Sequence, residues 1–141
     1  MENRYGNILD YEGKYLCQGV NNLGVMGAGL ALQIRQKYPK VWDVYIQKDL
    51  ALGDVFGVDC GRHTILNIVT QSEIGSYKKP FNYSAFQRGL NILDKNIAGP
   101  VAFPMIGCGL GGAYWPEVEK RLNTLQNIEP IVYVLDDEIP F

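Results

Sequence analysis

With 141 residues, 47% hydrophobic and 20% charged, the chain has the length and apolar content of one globular domain and is too apolar for a disordered segment. A formal net charge of −2 argues against a broad electrostatic hold on nucleic acid but leaves small anionic ligands open, because backbone N–H groups hold phosphates without net positive charge. Cys17, Cys60 and Cys108 are odd in number and widely spaced, which argues against a disulfide framework or a zinc site, and no stretch approaches the ~20 apolar residues of a membrane span.

In chain order, Met1-Glu2-Asn3-Arg4 carries no apolar leader core, so a cytoplasmic protein is expected. Residues 14–20 predict a buried strand, and Leu30, Ile34 and Tyr38 recur at the fourfold spacing of a helix face. Residues 64–69 (Thr-Ile-Leu-Asn-Ile-Val) predict a second buried strand, rich in β-branched side chains and bounded by turn-formers. Phe86, Leu90, Leu93 and Ile97 then mark another helix, and residues 101–106 a third strand. A helix should start just after Trp115, with Pro116 at its first position, Glu117 and Glu119 in its first turn, and Val118, Leu122 and Leu125 on one face. Residues 131–135 close the pattern as a strand. Without a repeat or linker, this is one domain over residues 1–141, an α/β layered fold whose largely parallel sheet has helices on both faces. Ligands of such folds sit beyond the C-terminal ends of the strands.

Of the 16 glycines, Gly24, Gly27 and Gly29 fall in one short segment and Gly107, Gly109, Gly111 and Gly112 in another. Each segment leaves a predicted strand and enters a predicted helix, so each can turn bare N–H groups and a positive helix end toward a phosphate. On one edge of the sheet, the pair could clasp a diphosphate from two sides; the alternative is two tight turns that need glycine for their own geometry. Gly27-Ala28-Gly29 lacks the third glycine of a dinucleotide fingerprint, and no Gly-Lys-Ser/Thr ending makes a P-loop.

Three segments carry a resemblance: Gly6-Asn7-Ile8; the run Gln18-Gly19-Val20-Asn21-Asn22-Leu23-Gly24-Val25-Met26-Gly27-Ala28-Gly29-Leu30-Ala31; and Pro104-Met105-Ile106-Gly107-Cys108-Gly109-Leu110-Gly111-Gly112 with Trp115. In this order they resemble the signature segments of macrodomains, over nearly the whole chain. The nearest branch holds ADP-ribose 1″-phosphate phosphatases, lysine-dependent ADP-ribosyl glycohydrolases and the antitoxins of DNA-ADP-ribosylating toxins. The resemblance implies a three-layer α/β/α fold with a central mixed, largely parallel sheet and an ADP-ribose cleft at the strand C-termini. By the resemblance, Asn7 would take the place of an Asp that accepts from the adenine amino group, and Ile8 would contact adenine through its backbone. Gly24, Val25, Met26, Gly27, Ala28 and Gly29 would then form one wall for the diphosphate and distal ribose, and Pro104, Ile106, Gly107, Cys108, Gly109, Leu110, Gly111, Gly112 and Tyr114 the other.

For chemistry, Asn21 is the first candidate to orient the distal ribose or a water, the alternative being a turn residue that caps the loop; Asn22 is its substitute, and Gln18, three positions earlier, is either a weaker candidate or a plain strand residue. The branch's catalytic lysine follows a Thr at a strand end, where this chain reads Val69-Thr70-Gln71, and glutamine forms no Schiff base. Gly111 likewise replaces an Asp of some relatives. Lys78 and Lys79 lie in a loop that could reach the cleft, and Asp136 and Asp137 end the last strand. His63, the only histidine, stands before a strand at the opposite edge and reads as structural, as does Cys108 with no histidine near it. Phe81, Tyr114 and Trp115 are candidates for a cleft wall or for core packing. The expected activity is hydrolysis of a distal-ribose ester such as ADP-ribose 1″-phosphate. The alternatives are a module that reads or sequesters ADP-ribose or an NAD-derived signal, and a glycohydrolase acting on ADP-ribosylated protein or nucleic acid. No metal or cofactor is implied, the partner is ADP-ribose or a macromolecule bearing it, no membrane is involved, and a monomer is expected.

Overall fold

The computed structural model describes residues 1–72, 80–109 and 111–135. In chain order it runs β1 (Glu2–Tyr5), a 3-10 turn (Ile8–Asp10), β2 (Tyr15–Asn21), α1 (Gly29–Lys37), α2 (Pro39–Tyr45), β3 (Val55–Asp59) and β4 (Thr64–Gln71). There follow α3 (Tyr83–Asn96), β5 (Gly99–Phe103), α4 (Trp115–Leu122) and β6 (Ile128–Val134). The strands form one sheet in the order β1-β6-β5-β2-β4-β3, parallel throughout except for the antiparallel β3–β4 pair.

Both faces of the sheet are buried, as a parallel sheet requires. Successive β2 residues divide between them: Leu16 and Val20 join Ile34, Val41 and Tyr45 under α1 and α2, while Cys17 joins Phe86, Leu90, Val118 and Leu122 under α3 and α4. The result is the expected three-layer α/β/α sandwich.

The differences from the predicted elements have local causes. Strand β1 has four exposed residues and no apolar signal; its place at the sheet edge comes from pairing with β6, a contact between the two ends of the chain. Tyr38 lies just past α1 because Pro39 disfavours the helical region for the residue before it, and α2 starts afresh at that proline. Leu125 falls beyond the end of α4, and β5 stops at Phe103, short of the expected Ile106.

Two features of the sheet position a site. All strands but β3 run the same way, so the segments that follow β1, β2, β4 and β5 emerge at one edge. Within the described residues, β2 and β5 pair at Tyr15 with Val101 and Leu16 with Ala102 before β5 ends, leaving the upper half of β2 without that neighbour. A crevice where neighbouring strands part and their connections diverge is where α/β sheets take ligands.

Candidate functional site

The first glycine loop, residues 22–28, leaves the end of β2. Its shape rests on the buried Asn21 side chain, whose Oδ1 accepts from the N–H of Leu23 at 2.9 Å and of Val25 at 3.3 Å. Nδ2 donates to the Val25 carbonyl at 3.0 Å. From α2, the Tyr45 hydroxyl lies 2.6 Å from the same Oδ1. These bonds fit the loop-capping alternative for Asn21, whose amide is held by its own loop and by Tyr45. Asn22 is exposed, with its backbone N–H held by the Gln71 carbonyl at 3.2 Å.

Helix α1 follows directly. Its N-cap, Ala28, provides no side-chain acceptor, and the N–H groups of Gly29, Leu30 and Ala31 precede the first helical bond, Leu32 N–H to Ala28 O at 3.2 Å. Open donors and the positive end of a helix dipole meet there.

The second loop leaves β5 and folds down onto β2. Ile106 packs where a side chain on Gly19 would stand, its Cγ1 being 3.2 Å from that Cβ position. Gly107 has φ +77°, and a Cβ on it would lie 2.3 Å from the Phe81 ring, so both conformation and packing require glycine there. The Gly111 carbonyl accepts from Phe81 N–H at 3.0 Å, and Gln71 Oε1 lies 3.0 Å from where a Gly111 Cβ would be. Gln71 therefore touches both loops, through its carbonyl on one side and its side chain on the other.

Gly27 and Gly109 are different. Both are exposed, neither lies in the left-handed region, and added Cβ atoms would meet only Val25 Cγ1 at 3.7 Å or nothing within 4 Å. Folding does not demand glycine at either position. Among the described residues, neither a contact nor the backbone conformation accounts for the missing side chain at either position.

The remaining predicted residues divide clearly. Asn7 is exposed and caps the 3-10 turn, accepting from Leu9 N–H at 2.9 Å, while Ile8 is buried beside it. Gly24, Val25, Ala28 and Gly29 lie in the first loop or at its helix end, and Pro104, Cys108, Gly109, Gly112 and Tyr114 in the second. Met26 and Ile106 send their side chains into the core, so they can offer a ligand only backbone. Gln18 is corrected outright: it sits three residues before the strand end, buried, donating to Asn67 Oδ1 at 2.8 Å. That polar pair spans β2 and β4 inside the sheet. Trp115 and Phe81 are core residues, whereas Tyr114 is 68% exposed with its backbone N–H fixed by the Tyr83 hydroxyl at 2.8 Å. His63 is buried between the Tyr38 hydroxyl and the Tyr11 carbonyl, each at 2.6 Å, at the far end of β4. Leu110, Lys78, Lys79, Asp136 and Asp137 lie outside the described residues. Among the described residues no group of three or more His, Cys, Asp or Glu could hold a metal ion, and no helix is long and apolar enough to cross a membrane.

Sequence reasoning missed Gly19, Tyr45, Phe81 and Gln71 as supports. Each acts across elements, and only the Gly19 position within a strand, where glycine often marks a close approach of backbone or ligand, could have pointed to one of them.

No family model matches the chain. Proteins from Mycobacterium tuberculosis and Thermus aquaticus named DNA ADP-ribosyl glycohydrolase are each 31% identical over 91% of it. The solved macrodomain of Mycobacterium tuberculosis DarG is 31% identical, with a TM-score of 0.79, and the alignment covers 93% of this chain and 96% of that one. The chain belongs to the macrodomain family. This macrodomain spans about 40% of the length of the curated relatives, matching the part of the Mycobacterium tuberculosis protein solved as a separate domain.

Proposed function

We propose that this macrodomain binds ADP-ribose between its two glycine loops and hydrolyses the bond joining the distal ribose to its substituent. The observation that carries the reading is the pair Gly27 and Gly109: two exposed glycines, one on each loop, that neither backbone conformation nor packing among the described residues requires. Bare backbone can approach a diphosphate closely there, beside the uncapped start of α1, and hold it without a lysine or arginine. The 31% identity to DNA ADP-ribosyl glycohydrolases makes ADP-ribosylated DNA the leading macromolecular substrate, with ADP-ribose 1″-phosphate as a small one.

The chemistry rests on positioning. Among the described loop residues there is no carboxylate, lysine or histidine, and the strand-end position of the branch's lysine holds Gln71. A bound water would be oriented by Asn22 and by the ligand's own diphosphate, with loop N–H groups stabilising charge that develops in the transition state. Water adds at the scissile centre and the leaving group departs with a proton.

Gln71 also favours a second reading, a module that binds and sequesters ADP-ribose without turnover. Calorimetry with ADP-ribose, beside release assays on an ADP-ribosylated oligonucleotide and on ADP-ribose 1″-phosphate, separates the two. Binding in the micromolar range, about −8 kcal/mol at 1 μM, with multiple turnovers establishes the hydrolase. Binding without turnover establishes the module, and absence of binding removes both.

A further inference from the structure

We propose that Tyr45 is a positioning residue, which acts through Asn21 to keep the first glycine loop in its ligand-ready form; the ligand it serves rests on the ADP-ribose reading above. Tyr45 belongs to α2, 24 residues along the chain from Asn21, and is 2% exposed. Its ring stacks on Phe56 at 6.2 Å with planes 8° apart and leans on Trp42 at 6.2 Å, so the hydroxyl is delivered from a rigid base. That hydroxyl donates to Asn21, whose carbonyl oxygen and Oδ1 lie 2.7 and 2.6 Å away, and accepts from Val25 N–H at 3.2 Å.

The chemistry of the asparagine makes this contact decisive. An amide side chain has one accepting and one donating end, and its orientation follows its partners. Here Oδ1 gathers Leu23 N–H, Val25 N–H and the Tyr45 hydroxyl, while Nδ2 takes the Val25 carbonyl. Besides the Asn22 N–H bond to the Gln71 carbonyl, the loop between β2 and α1 is thus tied to the sheet through the buried Asn21 amide, which is itself tied to α2 through the Tyr45 hydroxyl. A phenol is protonated at neutral pH in any case, and burial pushes that of Tyr45 further above its usual range. Without the hydroxyl, Val25 N–H keeps only the long bond to Asn21 and the loop must be ordered when ligand binds, which lowers affinity.

The test is Tyr45→Phe, which keeps the ring and its stacking. Amide hydrogen exchange at Leu23 and Val25 should accelerate at least tenfold while the amides of β2 and β4 keep their protection. The dissociation constant for ADP-ribose should rise about fivefold to tenfold, the equivalent of about one hydrogen bond. Asn21→Ala should reproduce the exchange pattern, and the double variant should lose little beyond either single one, since both remove the same connection. Unchanged exchange at Leu23 and Val25, a uniform loss of protection through β2 and β4, or additive losses in the double variant would overturn the proposal. If the unmodified protein binds no ADP-ribose, the ligand reading fails alone and the Tyr45–Asn21 connection is judged by exchange.

Discussion

Asn7 spends one lone pair of its amide oxygen on Leu9 N–H at 2.9 Å, so on the ADP-ribose reading the adenine amino group must share that same oxygen. A carboxylate has two equal oxygens, one for the cap and one for the base. Asn7→Asp should therefore tighten ADP-ribose about fivefold, in keeping with the greater strength of charge-assisted hydrogen bonds. Calorimetry checks this against an analogue with hypoxanthine in place of adenine, which lacks the amino group and should gain nothing. Gly27→Val and Gly109→Val belong at the same scale. Because a Cβ at either position meets no described atom closer than 3.7 Å, each variant should melt within a few degrees of the parent yet lose ADP-ribose binding by at least a hundredfold. Normal binding by either, measured beside circular dichroism, reduces that loop to a turn.

At the scale of an element, α1 sets stability against function. Its N-cap is Ala28, with no side-chain bond, where Ser, Thr, Asp or Asn would satisfy an open N–H. Ala28→Asp should stabilise the domain by about 1 kcal/mol and weaken ADP-ribose more than tenfold, because a carboxylate then occupies the donors that the diphosphate would use. Thermal denaturation and calorimetry on the same sample test both halves, and a variant that gains stability without losing affinity would place the diphosphate elsewhere. The sequence foreshadowed α1, α3 and α4 through their apolar spacing, and the two loops through crowded glycines. It did not reveal β1, whose exposed residues carry no pattern, or the cross-element supports of the loops. Asn21 is the clearest case: its position at a strand end left a ligand contact and a loop cap both open, and a hydroxyl from α2 with three groups of its own loop determines where its amide faces. Gln18 was misread for a related reason, since nothing local announces that Asn67 stands opposite it on β4.

Seen whole, the sheet consists of two three-stranded halves, β1-β6-β5 and β3-β4-β2, sewn together by the pairs Tyr15–Val101 and Leu16–Ala102. Each half sends one glycine loop off the same edge of the sheet. A ligand clasped by both loops should stabilise the whole domain, by about 2.7 kcal/mol at a concentration one hundred times its dissociation constant, and AMP at the same concentration should do less because it offers one phosphate in place of two. Differential scanning calorimetry reads the shift directly, and equal shifts for the two ligands would sink the two-sided clasp. The short seam has a mechanical side as well. Pulled apart across β2 and β5, the molecule should yield there first, because few ladder bonds share the load; with the crevice occupied, the diphosphate becomes a strut between the halves, and the force needed to part them should rise with ligand concentration.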